Sequence, residues 1–256
     1  MEATFGPEGS YGVFVRSDTN VEDLPGFTGA GLNLTVVNVV GFENVLEAIN
    51  RVWASPFSER AFRWRQAYME NPEHIYASVL LLKSVPSDKS GVMVTADIDT
   101  GQTGWLTIAI NEGVGGAVAG QTSEELRINI SDGKVRLMAQ ATDPYKTVIL
   151  KEGGMTKIPA SGDAAVLNPE NIQALMEFAR TVPERFPILK DVQGDPVPAD
   201  IEFGFYKDSL VLFQIRPFLE SSRARQNLFL SRLDQRLKEK YALVVDLDEI
   251  PIITPH

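Results

Sequence analysis

Asp200, Glu202, Gln214 and Arg216 are strongly polar side chains set into two otherwise apolar runs, Ala199–Tyr206 and Leu210–Pro217, that are separated by Lys207-Asp208-Ser209. Two such runs around a short polar turn predict a β-hairpin, and three-residue loops are a common way to close one. If Tyr206 pairs with Leu210, Glu202 stands opposite Gln214 and Asp200 opposite Arg216. Strand side chains alternate between faces, so these four groups share one face while Ile201, Phe203, Val211, Phe213 and Ile215 fill the other. Direct cross-strand partners have Cβ atoms about 5 Å apart. That spacing lets a carboxylate and an amide oxygen hold one hard cation such as Mg²⁺ beside an arginine suited to phosphate. The same pattern also describes an antiparallel pair with one solvated face, on which Glu, Gln and Arg bind nothing.

A second group of residues with possible chemistry lies near the N-terminus. Tyr11–Val15 is a short β-type run that ends in Arg16 and opens into a loop containing Gly26, Gly29 and Gly31. Glycine lets backbone N–H groups approach an anion closely, so the loop is a candidate phosphate cradle. It is not a Walker A loop, because G-x-x-x-x-G-K-[ST] is missing, and an ordinary turn has the same composition. Gly113–Gly120 has the wrong spacing for a dinucleotide fingerprint and reads as a close-approach backbone turn. Arg60, Arg63 and Arg65 read as a solvated helix face, and His74 and His256 as surface residues.

These groups need elements to hold them. Apolar residues at Val45, Leu46, Ile49, Val52 and Trp53 predict an amphipathic helix over 43–54. A second helix runs from Ser58-Glu59 toward Asn71-Pro72, and Asn168-Pro169-Glu170 starts a third that reaches Arg180 with Ile172, Leu175, Met176 and Ala179 inward. Short β-branched runs over 78–85, 91–96, 105–111, 127–130, 134–139 and 147–150 predict a mostly antiparallel sheet. Leucines at 228, 230 and 233 within the basic stretch 221–241 predict a terminal helix.

At 256 residues the chain is long enough for a full core. Its net charge of −10 argues against a nucleic-acid partner, so local arginines and lysines must do any anion binding. No apolar run approaches a membrane span, and the absence of cysteine excludes disulfides and thiolate chemistry. The expectation is a cytoplasmic protein that uses neither nucleic acid nor membrane.

Several segments, in one order, resemble a known family. They are Arg16-Ser17-Asp18, Glu22-Asp23-Leu24-Pro25-Gly26 through Ala30-Gly31, Val52-Trp53-Ala54-Ser55 with Glu59-Arg60-Ala61, Ser90-Gly91-Val92-Met93, Asp200-Ile201-Glu202 and Gln214-Ile215-Arg216-Pro217. Together they look like the ATP-binding domain of phosphoenolpyruvate synthase and pyruvate phosphate dikinase, an ATP-grasp fold, over roughly residues 11–218. The resemblance implies ATP and Mg²⁺ as cofactors. It gives Arg16 and Arg216 catalytic contacts with nucleotide phosphate and lays Gly31 and Thr35 against ATP. It makes the backbone of Lys83, Ser84 and Val85 the hinge that meets adenine. It also makes Glu202 and Gln214 the Mg²⁺ ligands, with Asp200 as an ion-pair partner that supports them. Such a site works by positioning groups and neutralising charge, without a protein nucleophile.

The chain departs from the family where Leu82 stands for a glutamine and where Gly113-Val114-Gly115-Gly116 is one glutamate short of Gly-Leu-Gly-Glu, with Glu112 a possible substitute. The lysine-bearing first lobe, the phospho-histidine swivelling domain with its Thr-Ser-His motif and the pyruvate-binding barrel are not found in these residues. The fold expected is therefore α+β and ATP-grasp-like, with mostly antiparallel sheets, flanking helices and a truncated N-terminal lobe. Residues 1–220 form the partial nucleotide-binding domain and 221–256 a C-terminal helix and tail. The function expected is the ATP-binding part of a dikinase whose full-length parent phosphorylates a histidine and then pyruvate, with little ATP binding by this piece alone. A glucan or antibiotic dikinase and a catalytically inactive nucleotide-binding module are the alternatives.

Overall fold

The computed structural model describes residues 1–20, 23–24, 27–28, 33–67, 69–117, 120–163, 165–187, 189–190, 194 and 196–218, with backbone alone at 23–24 and 27–28. Gly26, Gly29, Gly31 and the helix expected over 221–241 lie outside the described residues. Helices and mainly antiparallel sheets together make the chain α+β. It divides into two compact units, Met1–Val85 with Ile149–Thr156, and Pro86–Val148 with the described residues from Lys157 onward. No helix among the described residues is long and apolar enough to cross a membrane.

In the first unit, a short helix α1 (Glu2–Phe5) precedes β1 (Val13–Thr19), and β2 (Asp23–Leu24) pairs with β3 (Phe27–Thr28). Then follow β4 (Thr35–Val39), α2 (Phe42–Ala54), a 3-10 turn (Ser55–Phe57), α3 (Glu59–Gln66) and β5 (Ala77–Lys83). The sheet order is β4-β1-β5, all antiparallel. Val13 and Val15 point to one face and meet Val45, Ala48 and Val52 of α2. Leu46 and Trp53, expected inward, are 41% and 50% exposed. Each follows an inward residue by one position, and one residue turns a helix by about 100°.

Three further corrections concern this unit. The first strand does not end at Arg16 but continues to Thr19, because β5 pairs with it as far as Thr19↔Ala77. β4, which no periodic signal announced, forms its other neighbour. Arg65 is not on a solvated face: it is 2% exposed and donates to Pro72 O (2.9 Å) and Pro56 O (2.6 Å), closing the corner around α3. Arg63 does remain at the surface, paired with Glu59 one turn earlier.

The second unit is a six-stranded antiparallel sheet. Its strands, in chain order, are β6 (Lys89–Ala96), β7 (Thr103–Glu112), β8 (Glu124–Asn129), β9 (Val135–Ala139), β12 (Ala199–Tyr206) and β13 (Ser209–Pro217). The spatial order is β13-β12-β6-β7-β8-β9. Between β9 and β12 run the β10 (Tyr145–Ile149) and β11 (Met155–Pro159) pair and helix α4 (Pro169–Arg185). Met93, Leu106, Ile108, Ile201 and Phe203 from the sheet pack with Leu175 and Met176 of α4. Asn168 caps α4 with a reciprocal box to Asn171, and Pro169 fits the first turn, as its sequence predicts. The helix runs one turn past Arg180, with Val182 buried in the same core.

The tip of the β10–β11 pair, Ile149–Thr156, belongs to the first unit. There the buried Asn38 donates from Nδ2 to Leu150 O and Gly154 O, each at 2.7 Å, and accepts from the Gly154 N–H at 2.8 Å. Asn38 has φ +45°, a backbone region that asparagine tolerates better than most residues. Asn38→Ala removes both donors and strains the backbone, and should lower unfolding stability by about 2–4 kcal/mol. Urea denaturation checks this; an unchanged midpoint would show that the tip is held by something else.

Candidate functional site

The β12–β13 hairpin is closed by two residues rather than three. Lys207 and Asp208 have φ +50° and +60°, and Tyr206 pairs with Ser209. Two left-handed residues in succession make the type I′ turn, whose twist suits a hairpin. The Lys207 N–H donates to Asp88 Oδ2 at 2.7 Å, and the Asp88 N–H donates to Phe205 O at 2.8 Å. Continued without interruption, this register would set Glu202 opposite Phe213. Instead β13 carries one extra residue between Leu212, which pairs with Phe203, and Gln214, which pairs with Glu202. The bulge brings Asp200 opposite Arg216, so the cross-strand pairs expected are present although the turn is different.

The apolar side of the hairpin is also different from expectation. Ile201, Phe203 and Phe205 are buried, with Leu210 and Ile215 packed on the same core. Val211 pairs with Gly204 and so shares the Glu202 face, and Phe213 lies against Gly204 on that face too. The shortened turn moves Leu210 inward and Val211 outward, and the bulge re-phases the strand only beyond Phe213. At the end of the hairpin, Arg216 Nε donates to Asp200 Oδ2 at 2.9 Å; the two side chains are 37% and 20% accessible.

The first unit holds the other expected residues. Arg16 lies between Thr35 of β4 and Leu80 of β5 as their register partner. Because Val13 and Val15 face the core, Arg16, Thr35, Phe14 and Leu82 fall on the opposite side of the sheet, with Leu80 47% exposed beside Arg16. That surface combines a guanidinium, a hydroxyl and apolar area. Lys83 pairs with Val13, and its Nζ donates to Phe5 O at 3.3 Å, away from the Arg16 side. The Ser84 N–H donates to Gly12 O at 2.8 Å, so that amide is already used. Ser84 Oγ is buried with no hydrogen-bond partner among the described residues. Val85 is the last residue of the first unit before the chain enters the second at Pro86.

The glycine turn after β7 is a close-approach turn, as expected: Gly113 bridges to Thr147 and leaves no room for a Cβ against that backbone. Ser90 Oγ holds the turn, donating to Gly113 O at 2.7 Å and accepting from the Gly115 N–H at 2.8 Å. A Cβ on Gly116 would lie 2.7 Å from Asn111 Cβ, so this fold has no space for a glutamate there. Glu112, the possible substitute, is engaged within the protein. Its carboxylate accepts from Lys146 Nζ (2.7 Å) and from the Ser161 amide and hydroxyl. Burial alone would raise the Glu112 pKa, but the hydrogen bonds from Lys146 and Ser161 and the lysine charge outweigh it and hold the carboxyl below its usual range.

Several anchoring residues were not legible as such in the sequence. Ser55 Oγ accepts from the Leu34 N–H at 3.0 Å and donates to Val52 O at 2.8 Å, fixing the backbone just before Thr35. Buried Glu124 clasps the Val166 and Leu167 N–H groups at 2.7 and 3.0 Å. Ser55 ends one of the resembling motifs and Ser90 begins another, which was the available signal. Glu124 had none.

The donor set suits Mg²⁺ carried on phosphate. Among the described residues no group of three or more His, Cys, Asp or Glu could hold a metal unaided. Glu202 and Gln214 would supply one carboxylate and one amide oxygen, and Mg²⁺ commonly takes its remaining ligands from phosphates and water.

Because the Glu112 pKa is lowered in the folded state, its contribution to stability is fully present above the unfolded value, roughly 4.3. It is lost as pH falls from there through the lower folded value. Glu112→Gln should therefore unfold more easily at pH 7, by about 2 kcal/mol, with the gap to the parent closing in acid. Thermal unfolding across pH checks this, and a gap that stays constant into acid would contradict it.

The profile of the family described as "Pyruvate phosphate dikinase, AMP/ATP-binding domain" matches residues 1–236. A rifampicin phosphotransferase of Bacillus subtilis is 31% identical over 217 residues, which are 83% of this chain and 24% of that protein. A probable phosphoenolpyruvate synthase of Methanothermobacter thermautotrophicus is 28% identical over 218 residues, 84% of this chain and 30% of that one. The phosphoenolpyruvate synthase of Pyrococcus furiosus is 29% identical over 230 residues, 85% and 27% respectively. The chain spans 24–30% of the length of these relatives. It belongs to the pyruvate phosphate dikinase AMP/ATP-binding domain family.

Proposed function

We propose that residues 1–220 are the nucleotide-binding part of a cytoplasmic, ATP-grasp-type dikinase, with residues 221–256 as a C-terminal extension. The observation that carries this reading is the pairing of Glu202 with Gln214 and of Asp200 with Arg216 on neighbouring strands, in a chain whose family is an AMP/ATP-binding domain. Each unit brings its own phosphate-binding set. Arg16, Thr35 and Gly31 belong to the first, with Lys83, Ser84 and Val85 as the hinge segment by the adenine. Glu202, Gln214 and Arg216 belong to the second. Glu202 and Gln214 hold Mg²⁺, which neutralises phosphate charge when bound. Arg16 and Arg216 grip phosphate oxygens in a forked geometry that lysine cannot reproduce.

In the full-length protein the phosphate goes from ATP to a histidine on a separate swivelling domain. The acceptor after that is pyruvate, by likeness to the phosphoenolpyruvate synthases, or an antibiotic, by likeness to the rifampicin phosphotransferases. Relatives of both names match this chain at similar identity over similar stretches, so its own residues do not choose between them.

Calorimetric titration with MgATP tests the reading. The chain should bind MgATP more weakly than micromolar, and Arg16→Ala and Arg216→Ala should each weaken it about tenfold further. Affinity unchanged in both variants would overturn the assigned roles.

A further inference from the structure

We propose that Phe213, seated on Gly204, is the register pin of the hairpin. It is a positioning residue that brings Gln214 opposite Glu202 and Arg216 opposite Asp200. The inference rests on the proposed Mg²⁺–nucleotide role of those residues for its functional consequence, but its structural core stands independently.

The hairpin contains two opposing constraints. The two-residue turn, held at Lys207 by Asp88, sets Tyr206 against Ser209. Followed along regular strands, that start pairs Glu202 with Phe213 and Asp200 with Ile215, placing an apolar side chain beside each carboxylate. The register observed requires the strand to gain one residue between the turn and Glu202, and it does so at Phe213, the residue left without a register partner. A bulge is a local disruption of the ladder and persists only where something holds it.

Gly204 supplies the hold. A Cβ on Gly204 would come within 2.7 Å of Phe213 Cζ, 2.9 Å of Phe213 Cε2 and 2.7 Å of Ser87 Oγ. The ring therefore occupies the space that any other residue at 204 would fill. β12 is regular against β6 through this stretch, from Asp200↔Val94 to Phe205↔Lys89, so Gly204 points to the same side as Glu202. The ring is thus fixed on the Glu202 side, at the one point where the strand must depart from regular pairing. Gly204 and Phe213 act as a complementary pair, in which the missing Cβ receives the ring and the ring keeps the extra residue out of the ladder.

The absence of cysteine from the chain allows a clean readout of register. Directly opposed strand residues have Cα atoms about 4.5–5.5 Å apart, within the span of a disulfide. A Glu202→Cys/Gln214→Cys chain should therefore oxidise readily to an intrachain crosslink. Adding Gly204→Ala should cut the crosslinked fraction at least several-fold, and adding Phe213→Leu to that variant should restore it, because the smaller side chain leaves room for the methyl group. Phe213→Ala alone should lower the crosslink where Phe213→Leu does not, which keeps the test decisive if Gly204→Ala fails to fold.

With Glu202 and Gln214 intact, the same four backgrounds are titrated with Mn²⁺ and ATP and followed by the spin resonance of the metal. Affinity should fall about tenfold in Gly204→Ala and recover in the double variant, while cooperative thermal unfolding persists in both. Crosslinking unaffected by Gly204→Ala and by Phe213→Ala would overturn the pin, whatever the titration shows. Crosslinking lost with Mn²⁺–ATP affinity unchanged would uphold the pin as the device that sets register and overturn the metal role of Glu202 and Gln214.

Discussion

A slip of one residue in a β-pair exchanges its two faces, and the β12–β13 hairpin contains two such shifts that cancel at the end carrying Glu202, Gln214 and Arg216. One is the two-residue turn at Lys207 and Asp208, and the other is the extra residue at Phe213. Between them lies a short segment in which Leu210 faces the core and Val211 does not. Beyond the bulge, Ile215 is back on the core while Gln214 and Arg216 meet their carboxylate partners. The polar set therefore depends on a local irregularity in the ladder rather than on alternation alone. Left-handed backbone at two non-glycine residues costs about 1 kcal/mol or more each. The Lys207 N–H bond to the Asp88 carboxylate offsets part of that strain.

Much of the remaining structure positions backbone around such points. Ser55 ties the end of α2 to the chain entering β4, and so sets where Thr35 stands beside Arg16. Ser90 holds both sides of the glycine turn after β7, and Glu112 with Lys146 and Ser161 ties the segment that follows β11 to β10. The Ser55 and Ser90 hydroxyls satisfy buried or partly buried backbone groups that would otherwise lack partners, each such loss costing about 1–3 kcal/mol. The motifs around Ser55 and Ser90 thus have a structural reason apart from any ligand.

The elements with strong local signals were legible in the sequence. The helix over 42–54, the Asn168-capped helix and most strands of the six-stranded sheet follow from periodicity and capping residues. The cross-strand partners of Glu202 and Asp200 also came out as expected, because a three-residue loop with regular strands and a two-residue loop with a bulge give the same register at that end. What was not legible depends on contacts distant in sequence. Arg65 has the composition of a solvated face, and only the carbonyls of Pro56 and Pro72 make it a buried corner. β4 is five residues long and recognisable only once β1 lies beside it. The space against Gly116 that excludes a glutamate is set by Asn111 and Gln121, and no local pattern reports it.

For the phosphate role proposed for Arg216, Asp200 presents an apparent conflict, since a carboxylate beside the guanidinium subtracts from its positive charge in a protein of net charge −10. Magnitudes decide it. A partly exposed ion pair is worth about 1 kcal/mol or less, so the attraction Asp200 takes from the guanidinium is small and screened further by salt. An arginine side chain carries about 2 kcal/mol of rotamer entropy, which is lost when a ligand must order it. With Nε held at 2.9 Å by Asp200, part of that ordering is complete before any phosphate arrives. If Arg216 has the phosphate role proposed for it, the carboxylate would favour anion binding by orienting its neighbour more than it would oppose it by charge.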